Sequence, residues 1–137
     1  MSTKEDVESA FRDAARKIGL PITQDKLQFQ DDGMATPYID LKDNGEISYV
    51  VKERGVELTR KQCVSIDVAL YYLFSWITHD LASDYTASHD KLGMDSRRLL
   101  FKEQLRLLKR ASNEWKVRRE AEIGEILRKA PYRDESL

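Results

Sequence analysis

Cysteine and histidine are nearly absent from these 137 residues, and each scarcity closes off a class of chemistry. With Cys63 as the single cysteine, no intramolecular disulfide and no cysteine-rich zinc site can form, which fits a reducing compartment. The two histidines stand in His79-Asp80 and His89-Asp90, ten residues apart rather than one helical turn, so no zinc pattern results and no metal is expected. The six glycines are scattered and form neither a G-x-G-x-x-G nor a Walker loop, which argues against a nucleotide cofactor. No G-x-S-x-G elbow occurs, and Cys63 has no neighbouring histidine to activate it. The expectation is a protein without catalysis or cofactor. Long apolar runs are missing as well: none approaches the ~18 to 20 residues that cross a bilayer. The N-terminus mixes acids and bases and lacks the apolar core of a signal peptide, so the expected location is the cytoplasm.

What is present is a globular composition, with 41% hydrophobic and 34% charged residues in a length that suits one domain over 1–137. The net charge is only −1, yet residues 1–96 hold 11 basic against 17 acidic side chains, and residues 97–137 hold 12 against 7. Such polarity steers a partner of complementary charge, or is satisfied internally when the basic helix packs across the acidic part; the internal reading is preferred.

The periodicity predicts an α+β fold: a small antiparallel three-stranded meander covered by an N-terminal helix, a central apolar helix and a long basic C-terminal helix. Ser2 or Thr3 caps the first helix, whose Val7, Phe11, Ala14, Ala15 and Ile18 recur every three or four residues before Gly19 and Pro21 stop it. Residues 22–34 read as an acidic loop anchored by Leu27 and Phe29. Ile39 and Leu41, then Ile47, Tyr49 and Val51, alternate around the Asp43-Asn44-Gly45 turn, and Val56 and Leu58 share a face of a short third strand. The stripe from Ile66 to Leu81 marks a central helix over 65–85, capped by Ser65 and followed by a loop over 86–93. Asp95 caps the basic helix, whose stripe passes through Phe101, Leu108 and Trp115 to Ile123. Ser112-Asn113 or Gly124 can bend it, so one helix or two are both open.

Two charged surfaces offer themselves for binding. Asp40, Asp43 and Glu46 put acids on the first hairpin, where an exposed acidic rim can imitate phosphates toward a basic nuclease. Arg97, Arg106 and Arg110 belong to the basic helix, which also raises a nucleic-acid reading. That reading is disfavoured, because Trp115 falls in the apolar stripe and the pI is near 6.1.

Tyr49-Val50-Val51-Lys52-Glu53-Arg54-Gly55 after a hairpin, an aromatic-rich helix ending near Tyr85, Asp95-Ser96-Arg97-Arg98 opening a helix that carries Trp115, and Ile126-Leu127 before Pro131-Tyr132 form an ordered set. In this order the chain resembles an immunity protein family of bacterial polymorphic-toxin and contact-dependent inhibition systems. The resemblance implies a small cytoplasmic protein, encoded beside a toxin, that binds the toxin's C-terminal domain and blocks it without catalysis of its own. Immunity families diversify where they touch the toxin, so Glu53, Arg54, Gly55, Asp95, Arg98 and Trp115 are expected to be shared scaffold. Gly55 suits a positive φ in a strand-to-strand turn. Glu53 and Arg54 are expected to tie the meander to helix ends, and Arg98 to find an acid such as Glu53 or Asp95. The alternative is a nucleic-acid-binding or regulatory adaptor acting through the basic helix.

Overall fold

The computed structural model describes residues 2–135 as four α-helices and one three-stranded antiparallel sheet, the α+β arrangement that the periodicity predicts. It divides into two compact units, residues 1–74 and 75–137, with the boundary inside a helix that contributes to both.

In the first unit, α1 (Lys4–Ile18) opens with a reciprocal cap: Thr3 Oγ1 accepts the Asp6 N–H at 3.2 Å, and the Asp6 carboxylate accepts the Thr3 N–H at 2.9 Å. Val7, Phe11, Ala14, Ala15 and Ile18 are buried, and the Phe11 ring lies 5.2 Å from that of Phe74. Gly19 ends the helix at φ 79°, a conformation that costs glycine nothing. The expected loop that follows contains one short 3-10 turn, Gln24–Lys26, with Leu27 buried behind it. Phe29 is half-buried beneath the Lys4 ammonium, 5.0 Å from its ring centre.

The strands β1 (Tyr38–Leu41), β2 (Ile47–Glu53) and β3 (Val56–Cys63) pair in that order, with β2 central. Tyr49 pairs with Ile39 on one side and Lys61 on the other. On this face Ile39, Ile47, Tyr49 and Cys63 are buried, and the Tyr49 and Tyr72 rings lie 5.7 Å apart. On the opposite face Arg60, paired with Val50, reaches across β2 to the Asp40 carboxylate at 3.1 Å, over a fully buried Val50. The free edge of β1 is partly covered, since Gln28 C=O accepts the Ile39 N–H at 2.8 Å.

Strand β3 departs from the expectation. It runs on to Cys63, and Val56 and Leu58 do not turn inward but are 61% and 58% exposed. The register shifts between Val51 and Lys52, which pair with Thr59 and Glu57, so Leu58 has no partner in β2. This bulge breaks the alternation from which Val56 and Leu58 were expected to share a face.

The helix α2 (Ile66–His89) begins as expected, with Ser65 Oγ accepting the Val68 N–H at 3.2 Å. It continues past Tyr85 through residues expected to form a loop. Thr86 is buried and donates its hydroxyl to Ala82 C=O at 2.8 Å, while Ser88 donates to Tyr85 C=O at 3.1 Å. Thr86-Ala87-Ser88-His89 holds no glycine or proline, so nothing in it stops a helix. His79 is therefore an exposed mid-helix residue, and His89 is the last residue of α2.

The second unit pairs the latter part of α2 with an antiparallel hairpin of α3 (Ser96–Ala111) and α4 (Asn113–Lys129). The break falls at Ser112, which is extended at φ −163° and ψ 123°. Its N–H closes α3 on Leu108 C=O, and its hydroxyl accepts the Trp115 N–H to open α4. Gly124 lies inside continuous helix. Gln104, fully buried, locks the three helices: its amide donates to Ser75 C=O at 2.9 Å, and its oxygen accepts Arg119 Nε at 3.0 Å.

Candidate functional site

The Glu53-Arg54-Gly55 step is a two-residue turn of the hairpin type. Glu53 pairs with Val56, and Arg54 and Gly55 take φ 51° and 78°, the two positive values that a type I′ turn needs. The geometric role expected for Gly55 is thus met, and Arg54 shares it. The expected ties to helix ends do not form among the described residues. Glu53 and Arg54 are both exposed, and neither joins an ion pair among the described residues. A left-handed conformation at a side chain with a Cβ costs about 1 kcal/mol. No ion pair among the described residues offsets it.

The Asp95-x-Arg97-Arg98 step builds a clamp within the second unit. Asp95 caps α3 by accepting the Arg97 N–H at 3.0 Å, and its other oxygen pairs with Arg97 Nη2 at 2.8 Å. From there Arg97 donates to Ala130 C=O and Pro131 C=O, each at 2.9 Å. The tail returns the contact: the Arg133 N–H donates to Asp95 at 2.8 Å, and Glu135 N–H to Gly93 C=O at 2.7 Å. Arg98 finds neither Glu53 nor Asp95 but Asp134, at 2.8 Å, and its guanidinium lies 4.2 Å from the Tyr132 ring centre. The Arg97 hydrogen bond first, then the backbone N–H groups of Arg133 and Arg97, hold the Asp95 carboxyl well below the usual carboxylate range. Arg98 does the same, less strongly, for Asp134. Trp115 is buried in the first turn of α4.

The hairpin acids are less available than their exposure in sequence suggests. Asp40 is held by Arg60, Glu46 lies 3.6 Å from Lys42, and only Asp43 has no ion-pair partner among the described residues. The basic helix also pairs locally. Arg97 is spent on the clamp, and Arg106 donates Nε to the nearly buried Glu103 at 3.0 Å. Lys102, Lys109 and Arg110 stay exposed on α3 without a carboxylate in ion-pair range among the described residues.

Beside the start of that stripe lies a cleft of about 440 Å³ whose walls include Tyr85, His89, Met94, Leu99 and Lys102. The Tyr85 and His89 rings stack at 4.0 Å and 10°, and His89 Nδ1 sits 2.9 Å from Tyr85 C=O. The sequence reading missed this cleft because it ended the helix at Tyr85. The signal was available in the uninterrupted helix-compatible run that puts His89 one turn beyond Tyr85.

Residues 43–125 match the family described as Immunity protein 63. The chain belongs to that family. The matched span runs from the first hairpin's turn into α4 and contains the Glu53-Arg54-Gly55 turn, Asp95, Arg98, Trp115 and the whole cleft wall. No curated protein and no solved structure matches the chain. Membership of an immunity family makes toxin neutralisation its function class and a toxin its class of partner. Among the described residues no helix is long and apolar enough to cross a membrane, and no three His, Cys, Asp or Glu side chains gather as metal ligands.

Proposed function

We propose that the chain is a single-domain, non-catalytic inhibitor that binds the C-terminal domain of one cognate toxin in the cytoplasm and blocks it there. The observation that carries this reading is the family match over residues 43–125. Supporting it is the character of the exposed side chains, which offer charge and apolar contact for binding. A nuclease is the proposed target, since nuclease active sites often gather carboxylates around metal ions. The unpaired cations of α3 suit such an acidic mouth better than the hairpin acids suit a basic one. Purified chain mixed with the C-terminal domain of the toxin encoded beside it should elute as a 1:1 complex on gel filtration and abolish the domain's activity. Separate elution with undiminished toxin activity would reject the proposal.

A further inference from the structure

We propose that the toxin seats in the cleft between the end of α2 and the start of α3, through an acidic surface that carries an apolar side chain. This rests on the reading of the chain as a toxin inhibitor, and names the surface and the chemistry of the contact. Three observations converge on these residues. The cleft is walled by Met94 and Leu99 and by the stacked Tyr85 and His89 rings, a rigid ledge that loses little freedom when covered. Two of its lining side chains stay open to contact: Met94 is 43% exposed and Tyr85 37%. Interface cores are built of such aromatic and methionine contacts.

Charge decides the partner. Lys91 and Lys102 line the cleft with no ion-pair partner among the described residues, and Lys109 and Arg110 extend the positive stripe along α3. Arg98, also on the wall, is already neutralised by Asp134. Unpaired cations around an apolar floor complement carboxylates around an apolar side chain, which gives both orientation and a fast encounter. A nucleic-acid backbone fits less well, because the apolar Met94 and Leu99 side chains of the wall offer it nothing.

The test is titration of the C-terminal domain of the adjacent toxin against the wild-type chain, Lys102→Glu, Met94→Glu and the pair Lys91→Glu with Lys102→Glu, at low and moderate salt. All three changes are at exposed positions, so melting temperatures should stay at the wild-type value, which circular dichroism checks. Each single change is expected to weaken binding at least tenfold, the pair more, and the charge reversals should flatten the salt dependence. Wild-type affinity in all variants, with the wild type binding tightly, overturns the cleft and leaves the inhibitor reading intact. So does a tenfold loss in Asp43→Lys with retention in the cleft variants, which moves the contact to the hairpin. No binding by the wild type removes the inhibitor reading and the cleft together. Binding of a labelled single-stranded RNA that competes with the toxin and is lost in Lys102→Glu overturns the protein occupant in favour of nucleic acid.

Discussion

The Asp95 carboxylate caps α3 and, 38 residues along the chain, accepts the backbone N–H of Arg133 at 2.8 Å. One side chain therefore fixes both the start of a helix and the return of the tail, with Arg97 bridging the two through Ala130 and Pro131. Asp95→Ala should lower the melting temperature more than Asp43→Ala, which removes an exposed acid from a turn. Combined with removal of residues 130–137 its effect should be less than additive, because both changes release the same contacts. Full additivity in thermal melts would show that cap and tail are independent.

Acid should open this clamp late. The Asp95 and Asp134 carboxyls are held below their ordinary 3.8, so their contribution is complete above that value and fades as pH falls through their lower folded values. Carboxyl-carbon NMR should show Asp95 still ionised at pH 4, with the Arg133 amide unchanged. A titration midpoint above 3.8 would contradict the geometry.

The Arg54 turn invites a change in the other direction. With φ 51° and no ion pair to hold it among the described residues, Arg54 sits where asparagine is preferred in a type I′ turn. Arg54→Asn should raise stability, by up to about 1 kcal/mol. A marked loss of stability in urea melts would show that the arginine is held by its surroundings. A loss of toxin binding at unchanged or higher stability would make Arg54 a contact.

Much of this was legible in the sequence, for identifiable reasons. The Thr3 cap, the Gly45 and Gly55 turns, Asp95 as N-cap and the apolar stripes of the helices are local rules, and they sufficed for the α+β class; the family resemblance rested instead on the order of short motifs along the chain. The misplacements were non-local. The bulge at Leu58 is decided by pairing with β2, so the exposure of Val56 and Leu58 could not be read from alternation alone. The partner of Arg98 lies 36 residues away at Asp134, beyond any spacing rule. Of the candidate contacts, Asp40 is engaged by Arg60 across the sheet, and Arg97 and Arg106 by the nearby Asp95 and Glu103, which shifts attention to Lys102 and the cleft.

Gln104 tests how the helical unit is specified. Fully buried, it joins the Ser75 carbonyl to the Arg119 guanidinium, so Gln104→Leu takes one acceptor from a cation that is only 17% exposed and leaves it the Glu122 carboxylate at 3.3 Å. The expected cost is about 2 to 3 kcal/mol. Adding Arg119→Leu should recover part of it, since the guanidinium N–H left without its acceptor is then gone. A double variant no more stable than the sum of its parts would show that the two side chains do not act together.

Survival measures the central claim most directly. Cells induced for the C-terminal domain of the adjacent toxin, with and without this chain, should grow only when the chain is present, and Lys102→Glu should shift protection to higher expression of the inhibitor. Equal killing in both cultures, with the chain folded and abundant, would contradict the account.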